Sequence, residues 1–135
     1  MEEKNINFLP KTLQNRLPNE IGVISVPPKE SKKLNNIYRG KDKSTNVLSF
    51  RYDDEYGEVV LCPFVIRKEA KGQGNTFDYQ MTWMVVHGII HLAGLHHEVS
   101  EAAEQRVDRL ETQIINKFLD QVKIQKVKVK ISRQK

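Results

Sequence analysis

The histidines of this chain are clustered at a spacing that suits metal binding. All four lie at positions 87, 91, 96 and 97. A separation of four residues places His87 and His91 one turn apart on the same face of a helix, so both imidazole rings can reach one ion. Gly94 lets the chain turn back, and a third histidine beyond it can complete the site. The spacing therefore predicts a three-histidine metal centre, with one zinc ion per chain.

Three histidine ligands favour a catalytic site over a structural one. Neutral imidazoles leave the metal its full positive charge and an open fourth position, so the ion can polarise a phosphoryl or carbonyl oxygen. Structural zinc sites more often contain cysteine, and Cys62 is the only cysteine in the chain. In the HExxH peptidase motif a glutamate base follows the first histidine, whereas here Gly88 follows His87. Glu98 could replace that base, or it could be an exposed residue of the next helix.

The helix that carries the first two histidines can be located from the apolar pattern. The longest apolar segment spans about residues 77–93 and predicts a buried helix. Thr76 suits its N-cap, and Gly94 suits a left-handed C-terminal end. The predicted helix would carry His87 and His91 in its last two turns.

Shorter segments predict a small sheet. Residues 20–26 form an apolar run rich in β-branched side chains, which favours a strand. Further strands are predicted at residues 47–50 and 58–62, and these two can pair as a hairpin.

Two further helices are predicted on either side of the histidine-bearing segment. Residues 28–39 begin with a proline and place Leu34, Ile37 and Tyr38 at helical spacing, which predicts a short amphipathic helix. The sequence KGQGN at 71–75 predicts a turn. The second helix is expected to open at Ser100, and its apolar stripe consists of Val107, Leu110, Ile114, Ile115 and Phe118.

The net charge of +5 is concentrated at the C-terminal end. Residues 123–135 contain six Lys or Arg and no Asp or Glu, which leaves 16 basic against 17 acidic residues elsewhere. Within this segment apolar and polar residues alternate, so it is either an edge strand or a basic tail that attracts polyanions or aids solubility. We expect one domain over residues 1–122, followed by the basic tail or edge strand over 123–135.

The remaining bulk features point to a soluble protein. No apolar run reaches the roughly 18–20 residues that span a bilayer. The N-terminal sequence MEEKNINFLP lacks the pattern of a signal peptide, and a lone cysteine cannot form an internal disulfide. These features predict a cytoplasmic protein with no membrane partner.

Three motifs resemble one known family. The string HGIIHLAGLHH at 87–97 resembles the HGxLHLxGxDH motif of the YbeY family, rRNA maturation factors described as single-strand-specific endoribonucleases. YRGKDKSTNVLSF at 38–50 resembles the family's YRGKDKPTDVLSF, and GEVVLC at 57–62 resembles its GDIVI strand. The motifs occur in family order, and the resemblance covers about residues 20–120.

The resemblance implies an α+β, zincin-like fold. In this fold a small mixed β-sheet packs against helices, and the metal site lies at the end of a buried helix. It implies His87, His91 and His97 as the ligands, because the family's third histidine lies six residues after the second. His96 stands where the family usually has aspartate, so it could ligate instead. Asn46 also replaces a usual aspartate and keeps hydrogen-bonding capacity without charge.

The resemblance also assigns roles around the metal. Arg39 takes a catalytic or RNA-binding part, and a guanidinium suits it because its planar donors match phosphate and remain protonated. His87 is counted with Arg39 as catalytic. The RNA backbone would be held by Arg39, Lys41 and Lys43. Two hydroxyls could serve the site or could simply belong to turn and strand residues: Thr45 and Ser49.

The implied function is a zinc-dependent endoribonuclease acting on single-stranded RNA. It would serve rRNA maturation at the 16S 3′ end and ribosome quality control, with rRNA and the ribosomal subunit as partners. Two alternatives use the same residues. One is a metal-dependent hydrolase of an amide or a small phosphoester. The other is a non-catalytic, ribosome-associated RNA-binding factor whose metal orders the fold.

Overall fold

The structure, a computed structural model, describes residues 9–94, 105–106, 108–117 and 132–133. Residues 105–106 and 108–117 are helical and are called the C-terminal helical segment below. The other elements, in chain order, are α1 (Lys11–Gln14), β1 (Glu20–Ser25), α2 (Pro28–Arg39), β2 (Val47–Arg51), β3 (Tyr56–Leu61), α3 (Pro63–Gln73), α4 (Phe77–Leu92) and β4 (Ser132–Arg133).

The strands form one mixed sheet in the order β2-β3-β1-β4. Strands β2 and β3 are an antiparallel hairpin in which Ser49 pairs with Val59. Strand β1 runs parallel to β3, with Val23 opposite Val59, and the two-residue β4 runs parallel to β1. The predicted α+β class, the three strands and the hairpin are therefore confirmed. Of the predicted C-terminal tail, only residues 132–133 are described.

The alternating side chains of the sheet divide between two apolar layers. One face packs against α4 and carries Ile21, Val23, Val47, Val59 and Leu61. The opposite face packs against Leu34 of α2 and carries Ile24, Val26, Leu48 and Val60. Since both faces are covered, the strands are mostly apolar on both sides, which explains their continuous apolar runs.

Helix α4 matches the helix predicted over 77–93. The Thr76 hydroxyl accepts a hydrogen bond from the Tyr79 backbone N–H at 3.1 Å, as expected for an N-cap. Helix α4 ends at Leu92, and Gly94 follows with a left-handed φ of 83°. Both predicted ends are confirmed.

The predicted turn at 71–75 is wrong over its first three residues. They form the last part of α3, a helix that the sequence analysis did not predict. Pro63 suits the first turn of this helix, and Ile66 and Ala70 are buried one turn apart on its inner face. Only Gly74, with a φ of 74°, breaks the helix. One lysine and two glycines had suggested a loop, but burial of Ile66 and Ala70 outweighs that local preference.

The apolar face predicted for α2 is wrong at two of its three positions, since only Leu34 packs against the sheet. Ile37 and Tyr38 are 61% and 63% exposed, whereas the buried positions are Ser31 and Asn35. The Ser31 hydroxyl donates to the Thr45 carbonyl at 3.0 Å and accepts from its N–H at 2.9 Å. The Asn35 amide donates to the carbonyl of residue 43 at 2.9 Å. Polar contacts to the following loop therefore orient α2, and they fix that loop beside strand β2.

The C-terminal helical segment supplies the last part of the core. Ile114 and Ile115 are buried as predicted, and Leu110 packs partly against the same core. The predicted helix start at Ser100 and two members of its stripe, Val107 and Phe118, lie outside the described residues. Over the described ranges, no helix combines the length and the apolar character that crossing a membrane requires.

Gly88 lies at a close contact between α4 and the sheet. A Cβ atom at this position would lie 2.6 Å from Val59 Cγ1 and 3.1 Å from Ser49 Oγ. The absence of a side chain at Gly88 therefore permits the close packing of α4 on the sheet.

We expect Gly88→Ala to destabilise the protein by about 1–3 kcal/mol, because the added methyl overpacks a rigid contact. The free energy of unfolding from urea titration measures this effect. The matched control is Gly72→Ala in α3, where a Cβ would meet nothing within 4 Å. There alanine should stabilise by up to about 1 kcal/mol. Equal effects at the two positions would contradict the close-packing role.

Candidate active site

Six of the predicted site residues line one cleft. The cleft has a volume of about 900 Å³ and runs along the edge strand β2, with α4 on one side and the end of α2 on the other. The predicted residues in its lining are Arg39, Thr45, Asn46, Ser49, His87 and His91. Residues from three separate elements and one loop therefore meet at a single surface.

The two described histidines form a close pair on α4. The ring centroids of His87 and His91 are 4.4 Å apart, with 44° between the ring planes. The four-residue spacing predicted this proximity of two rings one turn apart. The pair lies in the last turns of α4, where Gly88 allows the helix to approach the sheet closely. The sheet contact therefore places both rings beside strand β2.

A buried carboxylate, Glu111, supports the first histidine. Its Oε2 lies 2.7 Å from His87 Nδ1, and its Oε1 accepts a hydrogen bond from the Trp83 indole N–H at 2.7 Å. Glu111 is only 5% exposed. An ionised carboxylate is an acceptor only, so His87 donates its Nδ1–H, and in the neutral imidazole the lone pair is then on Nε2. That tautomer is the one a metal ligand coordinating through Nε2 requires.

Sequence reasoning missed Glu111, although a signal was present. Ile114 and Ile115 lie three and four residues after it, so Glu111 shares the buried face of the C-terminal helical segment. A carboxylate on a buried face costs free energy unless it finds donors. Such a residue is a candidate for a functional partner, and here its donors are Trp83 and His87.

The Ser49 hydroxyl joins strand β2 to the histidine helix. It donates to the Gly88 carbonyl oxygen at 2.8 Å. Its side chain therefore reaches the cleft while holding α4 against the sheet. Thr45 lies at the end of the loop that Ser31 fixes to α2.

Asn46 has a partner that explains why it is not an aspartate. Its side-chain oxygen accepts from the Val47 N–H at 2.6 Å, and its amide nitrogen donates to Glu69 Oε1 at 3.0 Å. Glu69 belongs to α3, so this contact ties α3 to the start of β2. An aspartate at position 46 would face the Glu69 carboxylate without a proton to share.

The basic residues differ in their relation to the cleft. Arg39 is the last residue of α2 and is exposed at the cleft wall. Lys41 and Lys43 are exposed on the adjoining loop, outside the cleft lining. Arg39 can therefore reach a ligand inside the cleft, whereas the two lysines can contact only a ligand that extends beyond it.

Arg51 and Tyr52 also line the cleft, and sequence reasoning did not select them. Arg51 Nη1 donates to the Leu92 carbonyl at 2.9 Å and so holds the end of α4. The Tyr52 hydroxyl donates to Glu58 Oε1 at 3.0 Å. The pKa of Tyr52 is raised, mainly by partial desolvation of its hydroxyl and to a smaller extent by this hydrogen bond to Glu58. The same causes raise the pKa of Tyr56, which donates to the other Glu58 oxygen, to about 12.

Aromatic side chains form one wall of the cleft. Tyr38 packs edge-on against Phe50 with 4.9 Å between ring centroids, and Phe50 is followed by Tyr52 at 6.4 Å. Tyr38 and Tyr52 are 63% and 60% exposed. The lining of the cleft therefore combines imidazoles, a guanidinium and exposed aromatic rings.

The third predicted metal ligand cannot be placed. His97, the alternative ligand His96 and Glu98 lie outside the described residues. Within the ranges that are described, no group of three or more His, Cys, Asp or Glu side chains is arranged to hold a metal ion. The described part of the site is thus a histidine pair with its carboxylate.

The fold and the site together define a small α+β protein. Its cleft joins an edge strand to a histidine-bearing helix backed by a buried carboxylate. A family model described as "Endoribonuclease YbeY" matches residues 2–119. The chain therefore belongs to the YbeY family, and the resemblance noted from its three motifs is confirmed. Since the family is one of hydrolytic nucleases, the prediction of an enzyme is confirmed at the level of the family.

Three curated relatives carry the name Endoribonuclease YbeY. The chain is 40% identical to that of Aromatoleum aromaticum over 99 residues, which cover 71% of this chain and 64% of the relative. It is 38% identical to that of Thermotoga maritima over 105 residues, or 73% and 70% of the two chains. For Paraburkholderia phytofirmans the identity is 42% over 104 residues, or 73% and 67%. The chain thus matches about two thirds of the length of these relatives.

A solved structure supports the fold. The solution structure of a Thermotoga maritima protein superposes with a TM-score of 0.63 and 29% sequence identity. The match covers 90% of this chain and 83% of the other. The mixed sheet with its flanking helices is therefore shared with a protein solved by experiment.

We expect Asn46→Asp to lower the free energy of unfolding at neutral pH by about 1–2 kcal/mol, because it places two carboxylates in contact. Chemical denaturation measures the loss. The combined variant Asn46→Asp with Glu69→Gln should recover most of it, because the new amide can donate to the new carboxylate. A double variant no more stable than Asn46→Asp alone would contradict the Asn46–Glu69 contact.

Proposed function

We propose that this chain is a metal-dependent endoribonuclease that acts on single-stranded RNA. The observation that carries the proposal is the cleft itself, whose lining contains both the histidine pair, backed by Glu111, and Arg39. Membership of a family of endoribonucleases supports the choice of RNA over other phosphoesters.

The metal would be held by His87, His91 and His97, with zinc as the favoured ion at one per chain. The donor set fits such an ion because the two described rings are close neighbours and a carboxylate accepts from His87 Nδ1. This carboxylate–histidine arrangement is typical of metal ligands. When bound, the ion would supply a Lewis acid that polarises the scissile phosphate and activates a water molecule. The proposal includes a zincin-like arrangement, with His96 as the alternative third ligand.

Arg39 is the residue proposed to stabilise charge on the phosphate. Its guanidinium stands at the cleft wall on the last turn of α2, where the bonds of Ser31 and Asn35 fix the loop that follows. A guanidinium can donate two parallel hydrogen bonds to phosphate oxygens, and this match is stronger in the transition state as charge develops. Ser49 keeps α4, and with it His87, at a fixed distance from strand β2.

The preference for single strands follows from the cleft wall. The exposed ring of Tyr38 offers a face on which an unpaired base can stack. A base inside a duplex has no free face for such a contact. Lys41 and Lys43, exposed on the next loop, would then contact the backbone of a strand leaving the cleft.

The biological setting proposed for this activity is rRNA maturation. The substrate would be rRNA at the 16S 3′ end in the cytoplasm, on or near the ribosomal subunit, with a further part in ribosome quality control. The domain over 1–122 would carry the chemistry. The basic residues of 123–135 would add affinity for RNA without sequence preference.

His91→Ala should remove stoichiometric zinc and RNA cleavage together, because two remaining imidazoles hold zinc weakly. Elemental analysis and a cleavage assay on a single-stranded oligoribonucleotide measure the two properties on one sample. The pair His96→Ala and His97→Ala identifies the third ligand. Loss of zinc should follow the His97 change, while the His96 change should leave zinc bound. Cleavage that persists in zinc-free protein would reject the proposal, and so would a zinc-loaded protein that hydrolyses peptides but not RNA.

Arg39→Ala should reduce the rate of RNA cleavage by roughly 10²–10³-fold while zinc stays bound, since the guanidinium acts on the phosphate. Lys33→Ala, which removes the same charge from an exposed position of α2 outside the cleft lining, is the matched control and should change the rate little. Single-turnover cleavage rates compare the two. Equal rates for both variants would show that Arg39 contributes only general positive charge.

A further inference from the structure

Trp83, Glu111 and His87 form a partly buried chain of hydrogen bonds in which the direction of donation is fixed at the Trp83 end. The indole N–H of Trp83 can only donate, and it lies 2.7 Å from Glu111 Oε1. The second carboxylate oxygen lies 2.7 Å from His87 Nδ1. Each oxygen of Glu111 therefore has a donor among these two residues: the indole at Oε1 and the imidazole at Oε2.

We propose that Glu111 is a positioning residue for the metal site and that Trp83 gives this position its specificity for a carboxylate. The proposal rests on the proposed metal-binding function of His87. Glu111 holds His87 as the Nδ1–H tautomer, so the lone pair stays on Nε2, the atom that then coordinates a metal. Trp83 matters because its indole N–H determines the orientation of the amide when Glu111 is replaced by glutamine.

A glutamine at position 111 would have the same shape as glutamate but only one acceptor oxygen. Because Trp83 requires an acceptor, the amide oxygen must turn towards the indole. The amide NH₂ then faces His87 Nδ1 and requires it to accept. His87 is driven into the Nε2–H tautomer, in which Nε2 has no lone pair for a metal. Glu111→Gln preserves the shape of the side chain and therefore changes the tautomer of His87 from Nδ1–H to Nε2–H.

Removing the indole donor removes this constraint. With phenylalanine at position 83, the amide of the new glutamine can rotate so that its oxygen accepts from His87 Nδ1–H. The NH₂ group then points towards the former indole position. A polar cleft of about 250 Å³, lined in part by Trp83, His87 and Glu111, gives that group access to water. Trp83→Phe should therefore restore the Nδ1–H tautomer in the Glu111→Gln protein. A defect caused only by altered packing or by loss of charge would not be restored in this way.

The experiment compares wild type, Glu111→Gln, Trp83→Phe and the double variant. Zinc affinity is measured by competition with a chelator, and the His87 tautomer is measured by ¹⁵N NMR on metal-free protein, with signals assigned from a His87→Ala spectrum. Glu111→Gln should weaken zinc binding roughly 10- to 100-fold and shift His87 to the Nε2–H form. Trp83→Phe alone should cost a few fold at most, since Glu111 still accepts from the ring.

The double variant decides between positioning and packing. It should bind zinc at least about fivefold more tightly than Glu111→Gln and show the Nδ1–H form. Losses that simply add, or a Glu111→Gln protein with unchanged tautomer and zinc affinity, would overturn the proposal. So would a wild-type His87 found as the Nε2–H tautomer, a result that needs no variant to fold. Because the tautomer is read on metal-free protein, this result is independent of whether zinc binds or RNA is cleaved.

Discussion

The close approach of helix α4 to the sheet at Gly88 is the constraint on which the site depends. The backbone of α4 comes near enough to strands β2 and β3 that a methyl group would overlap Val59. The Ser49 hydroxyl bonds the Gly88 carbonyl across the same contact. His87 and His91 flank this glycine on α4, so their rings lie beside the edge strand rather than above open solvent. Packing and function therefore share one contact.

Two acidic side chains near this contact, Glu111 and Glu69, each accept hydrogen bonds from neighbouring side chains. Glu111 is buried, and its two oxygens take donors from the indole of Trp83 and the ring of His87. Asn46 meets Glu69 with an amide instead of a second carboxylate. The two donors of Glu111 matter because a buried polar group costs several kcal/mol, by rough estimate, unless it is hydrogen-bonded. Glu111 thus orients His87, and Glu69 faces an amide instead of a second carboxylate.

The features that depend on short stretches of sequence, namely the ends of α4 and the β2–β3 hairpin, were predicted correctly. The ends of α4 followed from Thr76 and Gly94, and the hairpin followed from two apolar runs. The burial of Ser31 and Asn35 in α2 was not predictable. Both side chains hydrogen-bond the loop that follows the helix, and the sequence of the helix does not specify the path of that loop. Helix α3 was hidden for a related reason, since its two late glycines suggested a turn and its burial comes from tertiary packing. Glu111 is 24 residues from His87 in sequence, and only the fold brings the two together.

His87 and His91 are proposed to hold one metal ion in the cleft. Zinc-edge anomalous diffraction from crystals of zinc-loaded protein tests it most directly. The account predicts one peak per chain, at roughly 2.0–2.1 Å from a ring nitrogen of each of these two histidines, with Glu111 still bonded to His87 Nδ1. A protein that takes up zinc but shows its anomalous peak away from both rings would contradict the account.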